Sequence, residues 1–102
     1  MKQKQSAVEV YLGLGSNLGD RGQNLAKAKE LLAQRVKIEK TSSLYETEPA
    51  EYRDQPLFLN TALCARTSLS PEDLLGLAKR IEVAMGRKPS FVNGPRPIDI
   101  DI

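Results

Sequence analysis

Four extended apolar runs and two helical stripes follow one another in the order β-α-β-β-α-β. That order predicts an α+β fold, a ferredoxin-like βαββαβ sandwich in which an antiparallel sheet carries both helices on one face. Three observations carry the prediction. Val8, Val10, Leu12 and Leu14 alternate with Glu9, Tyr11 and Gly13, which is the period of a half-buried strand. Asp20 and Gln23 are spaced like a capping box, and Leu25, Ala28, Leu31 and Leu32 follow at helical spacing. Ser70-Pro71-Glu72-Asp73 starts a second helix with a cap, a proline in the first turn and acids at the positive end of the dipole.

The remaining elements fill in between these. The first helix is expected over residues 21–35. Val36, Ile38, Ser42 and Leu44 predict one second strand over 36–46. Residues 48–56 are polar and hold two prolines, so they read as a loop. The third strand runs over 58–67. Leu74, Leu75, Ala78 and Ile81 form the apolar stripe of the second helix, and Gly86 stops it. A loop over 87–95 leads to a fourth strand that begins at Ile98. The 102 residues, with no internal repeat or linker, fit one domain over 1–102.

Composition removes several classes of chemistry. The chain has no histidine, which excludes histidine-based zinc sites, Ser-His-Asp triads and Cys-His pairs. Cys64 is the single cysteine, so no internal disulfide forms and a reducing cytoplasm is the expected location. A net charge of +2 is too small to argue for a nucleic-acid groove or a membrane surface. No apolar run reaches membrane-spanning length, and the N-terminus reads without a signal-peptide core.

The chemistry sits in short motifs. In Gly94-Pro95-Arg96-Pro97-Ile98-Asp99-Ile100-Asp101-Ile102 the acids alternate with isoleucines. On a strand the isoleucines enter the core and both carboxylates share the other face, with Cα atoms roughly 6.5 Å apart. Carboxylates so spaced can hold one hard cation together or bridge two, and Arg96 offers a fork of donors to a phosphate. A solvated acidic strand face is the alternative. Phe58 and Asn60 share a face of the third strand, where a ring can stack on a flat heterocycle and an amide can read its edge; a core phenylalanine beside a satisfied asparagine competes. The turn Gly15-Ser16-Asn17-Leu18-Gly19 can present backbone N–H groups or the Asn17 amide to a ligand; an ordinary strand-to-helix turn is the alternative. Lys79 and Glu82 read by default as a helical ion pair.

Taken in order, Gly15-Ser16-Asn17-Leu18, Ser43-Leu44-Tyr45-Glu46-Thr47-Glu48-Pro49, Asp54-Gln55-Pro56-x-Phe58-Leu59-Asn60, Arg80-Ile81-Glu82 with Gly86-Arg87, and Gly94-Pro95-Arg96-x-x-Asp99-Ile100-Asp101-Ile102 resemble the 6-hydroxymethyl-7,8-dihydropterin pyrophosphokinase family over residues 7–102. The resemblance implies transfer of pyrophosphate from ATP to the pterin hydroxymethyl group, with release of AMP, in folate biosynthesis. It implies two Mg²⁺ ions on Asp99 and Asp101, and catalytic contributions from Arg87 and Arg96. It assigns Thr47, Pro49, Ala50, Phe58 and Asn60 to the pterin, and Lys79, Glu82, Arg87 and Arg96 to ATP. It implies a monomer acting on small molecules, with no nucleic-acid or membrane partner. The C-terminal third of the family has no counterpart after Ile102, so a truncated chain is expected. Glu51, Val92, Asn93 and Lys79 depart from the family pattern. A fragment that binds pterin or nucleotide without turnover is the competing function. A base-stacking ferredoxin-like domain is a third class, disfavoured by 5% aromatic residues and an acidic motif face.

Overall fold

The computed structural model describes residues 6–49, 54–86 and 95–102. Ala50, Glu51, Arg87, Val92, Asn93 and Gly94 lie outside them, as does most of the expected loop over 87–95. The elements are β1 (Val8–Ser16), α1 (Arg21–Ala33), β2 (Lys37–Thr41), β3 (Tyr45–Thr47), β4 (Phe58–Thr67), α2 (Pro71–Ala84) and β5 (Asp99–Asp101). All strand pairs are antiparallel. The sheet order is β2-β4-β1-β5, with β3 also paired to β4. This is the ferredoxin-like arrangement, with β2 and β3 sharing the place of the expected second strand.

Both helix starts follow from their caps. The Asp20 carboxylate accepts the Gln23 N–H at 3.0 Å, and the Ser70 hydroxyl accepts the Asp73 N–H at 3.1 Å. Gly86 follows α2 at φ +91, a backbone position that favours glycine.

The core lies on one face of the sheet. Leu12, Leu14, Leu63 and Ala65 project from β1 and β4 onto Leu25, Ala28 and Leu32 of α1 and Leu74, Leu77, Ala78 and Ile81 of α2. Ile98 and Ile100 join them. Among the described residues the other face of β1 and β4 carries no helix.

Four expectations change. The strand over 36–46 is two strands, because Ser42 interrupts the ladder. Its hydroxyl accepts the Ala62 N–H at 2.8 Å and contacts the Thr61 hydroxyl at 3.2 Å. The register moves by one residue between Thr41↔Leu63 and Tyr45↔Asn60, and Leu44 turns outward, 56% exposed. In α2 the inward stripe uses Leu77 in place of Leu75, which is exposed. Helix α1 ends at Ala33 rather than 35. Strand β5 begins after Ile98, and Ile102 is exposed instead of entering the core.

Candidate functional site

The open face of the sheet holds a pocket of about 390 Å³. Its floor is Gly13 and Gly15 of β1. Phe58 and Asn60 of β4 stand on one side, and Asp99 and Asp101 of β5 on the other. The register makes this unavoidable: Gly15 pairs with Asn60 on one flank and Asp99 on the other, and Gly13 pairs with Asp101. Tyr45, Thr47, Glu48, Pro49 and Arg96 complete the rim.

The glycines are where side chains must be missing. A Cβ on Gly15 would lie 2.9 Å from Asn60 Oδ1 and 3.3 Å from Phe58 Cδ1. Such a floor lets a ring and an amide lean over the strand between them. Gly15→Ala is expected to weaken binding of a flat heterocycle about tenfold, roughly 1.4 kcal/mol. Calorimetric titration with 6-hydroxymethylpterin checks it; unchanged affinity would remove Gly15 from the site.

The Asn60 amide is oriented by β3. Its Nδ2 donates to the Thr47 hydroxyl at 2.9 Å and to the Tyr45 carbonyl at 3.2 Å. A carbonyl needs a donor, so the nitrogen faces β3 and Oδ1 faces the floor. Strand β3 is itself held by Arg21, whose Nη1 donates to Glu46 Oε2 at 2.8 Å and to the Leu57 carbonyl at 2.9 Å.

Arg96 links the two halves of the pocket. Its guanidinium carbon lies 5.7 Å from the Phe58 ring centroid, within cation–π range. Its Nη1 is 3.3 Å from Asp99 Oδ1. The same fork therefore touches the aromatic wall and the carboxylate pair.

Behind the rim, Asn17 ties three segments together. It is 1% exposed. Its Nδ2 donates to Gln55 Oε1 at 2.6 Å and to the Pro56 carbonyl at 3.2 Å. Its Oδ1 accepts the Arg96 N–H at 2.8 Å, and its own N–H donates to the Arg96 carbonyl at 3.1 Å. The sequence offered this amide to a ligand; the fold spends it on joining the end of β1 to the entries of β4 and β5. Gln55 and Arg21 are further supporting groups that sequence reasoning missed.

The pocket thus brings together Thr47, Pro49, Phe58, Asn60, Arg96, Asp99 and Asp101. It does not include the other two described candidates. Lys79 lines a shallow apolar depression on α2 with Arg80, Val83 and Ala84. Glu82 is buried, and its Oε2 accepts the Ile100 N–H at 2.8 Å. Ala50 and Arg87 lie outside the described residues.

Two carboxylates on one face, both lining the pocket, form a hard-oxygen donor set that fits magnesium. A second cluster, Glu9, Glu39 and Cys64, lies where β1, β2 and β4 run side by side. Its acids already have partners: Tyr11 donates to Glu9 at 2.7 Å and Arg66 lies 3.3 Å from Glu39. The Tyr11 hydrogen bond holds the Glu9 carboxyl below its usual value. Partial burial, and then the Glu9 carboxylate, hold the Cys64 thiol above its ordinary value. Since the thiolate is the nucleophile, iodoacetamide is expected to alkylate Cys64 at pH 8 more slowly than an unstructured cysteine peptide. Equal rates would contradict this environment.

Fold and site together define a ferredoxin-like α+β domain with a pocket on the open face of its sheet, walled by an aromatic–amide pair and a carboxylate pair. The chain belongs to the 7,8-dihydro-6-hydroxymethylpterin-pyrophosphokinase family, whose model matches residues 11–102. Two relatives are each called 2-amino-4-hydroxy-6-hydroxymethyldihydropteridine pyrophosphokinase. The one from Aquifex aeolicus is 50% identical over 93 residues, covering 91% of this chain and 58% of the relative. The one from Bacillus subtilis is 48% identical over 95 residues, covering 91% and 57%. The mitochondrial folate synthesis bifunctional protein of Pisum sativum is 50% identical over 95 residues, covering 92% of this chain and 18% of that protein. The chain spans less than three fifths of the length of each of these relatives.

Proposed function

We propose that this chain transfers pyrophosphate from ATP to the hydroxymethyl group of 6-hydroxymethyl-7,8-dihydropterin, releasing AMP, as a step of folate biosynthesis. The observation that carries the reading is the meeting of Phe58 and Asn60 with Asp99 and Asp101 over the Gly13–Gly15 floor. In this reading Phe58 stacks on the pterin and the fixed Asn60 Oδ1 accepts from its edge. Thr47 and Pro49 line the same slot, and Ala50 is kept as a pterin contact. Asp99 and Asp101 hold two Mg²⁺ ions. Bound there, the ions neutralise the triphosphate and lower the pKa of the attacking hydroxyl.

Arg96, already beside both walls, shifts its fork from Asp99 to the phosphates, with Arg87 as a second phosphate contact. A bond forms from the hydroxymethyl oxygen to the β-phosphorus as the hydroxyl gives up its proton to solvent. The bond from that phosphorus to the α,β-bridging oxygen breaks, and AMP leaves. Lys79 is kept as a nucleotide contact only where ATP reaches the outer face of α2. We further propose a cytoplasmic monomer; the single cysteine suits a reducing compartment.

A second reading, a domain that binds pterin or nucleotide without turnover, is favoured by one observation. The chain covers 58% and 57% of the two bacterial pyrophosphokinases. One assay separates the two. AMP release from ATP and Mg²⁺ that depends on the dihydropterin supports the first; saturable pterin binding without AMP supports the second.

A further inference from the structure

We infer that Glu82 is a positioning residue that holds Asp99 and Asp101 in register from the flank of β5 opposite β1. The inference rests on the reading of that pair as the cation site. Glu82 is 9% exposed and is the one buried carboxylate among the described residues. Burying an ionised carboxylate is costly unless hydrogen bonds repay it. Here the Oε2 accepts the N–H of Ile100, at 2.8 Å.

That N–H is the midpoint of β5. The strand has three residues and ends the path β2-β4-β1-β5, with β1 as its neighbour. Edge strands present N–H groups with no strand to pair, and one given to Glu82 is not spent on β1. Among the described residues β5 is the outer strand of the sheet, and the carboxylate accepts the N–H that a further strand would otherwise take. Ile100 lies between the two aspartates and its side chain is anchored in the core. Fixing its backbone from the helix side fixes the direction in which both neighbours project onto the open face.

Helix α2 is a firm support for this. Its N-terminus is capped by Ser70 and opened by Pro71, and its inward residues share the core with Ile98 and Ile100. Glu82 does not line the ligand pocket, so its effect on a ligand passes through β5.

The distinguishing feature is the acceptor presented to the Ile100 N–H. Glu82→Gln keeps an oxygen for Ile100, while Glu82→Leu keeps the volume and loses the acceptor. The probe is Mn²⁺ in the presence of α,β-methylene-ATP, with free Mn²⁺ followed by electron paramagnetic resonance. E82Q is expected to bind Mn²⁺ within about threefold of the unsubstituted chain. E82L is expected to bind it about tenfold more weakly, with pterin affinity unchanged as the control for folding. Mn²⁺ affinity unchanged in E82L would overturn the inference. So would an equal fall in E82Q and E82L, which would place the charge at the ligand.

If E82L does not fold, amide exchange decides. Ile100 protection and Mn²⁺ affinity are expected to persist together in E82Q. Loss of that protection with affinity intact would overturn the inference. Failure of the unsubstituted chain to retain Mn²⁺ would overturn the carboxylate-pair reading itself.

Discussion

Asp99→Asn is expected to cut pterin-dependent AMP formation about a thousandfold while leaving the fold in place. The substitution keeps the shape and removes one of the two hard anionic donors at the pocket's edge. Magnesium binds through one or two carboxylates plus substrate phosphates, and a bound ion supplies several kcal/mol of charge stabilisation. A loss of about 4 kcal/mol corresponds to roughly three decades in rate. Stability moves little by comparison. The ion pair lost is with Arg96, at 3.3 Å, with both side chains partly exposed. Such pairs contribute about 0–1 kcal/mol. Steady-state AMP release and a thermal melt, measured side by side, separate the two effects. Full activity at saturating Mg²⁺ would remove Asp99 from the chemistry.

The second large effect is structural. Asn17→Ala is expected to destabilise the chain by about 3 kcal/mol, because it strips partners from the Arg96 N–H, the Gln55 amide and the Pro56 carbonyl together. Each of the three hydrogen bonds lost contributes about 1 kcal/mol. For a chain of this size that lowers the melting temperature by more than about 10 °C. The same change removes the side-chain half of the Arg96 backbone anchor and leaves the bond from the residue 17 N–H to the Arg96 carbonyl, so the KM for ATP is expected to rise in whatever fraction stays folded. A melting temperature within about 2 °C of the unsubstituted chain would show that the three segments are held by something else.

These two residues also mark what the sequence can and cannot reveal. Asp99 and Asp101 were readable because strand alternation is strict: Ile98 and Ile100 had to go inward, so the acids had to go outward. Phe58 and Asn60 were readable for the same reason. The helix starts were readable because Asp20 and Ser70 cap within three residues. Asn17 was visible as polar and turn-forming, but its partners lie 38 to 79 residues away. No local rule distinguishes an amide offered to a ligand from one spent inside the fold. For Glu82 the spacing from Lys79 suggested a surface pair as the default, whereas packing of α2 on β5 buries it. The Gly13–Gly15 alternation carried a signal in retrospect, since glycines two apart in a strand mark a close approach. The Ser42 break was missed because serine fits a strand, and only the hydroxyl's capture of the Ala62 N–H ends the ladder.

The most direct test of the open sheet face as the ligand face is a ¹⁵N chemical-shift titration of the chain with 6-hydroxymethylpterin. The largest shifts are expected at the amides of Gly13, Gly15, Phe58 and Asn60, extending to Asp99 and Asp101 when Mg²⁺ and α,β-methylene-ATP are added. Shifts confined to residues 79–84 on the outer face of α2, or none at saturating pterin, would contradict the assignment of the pocket.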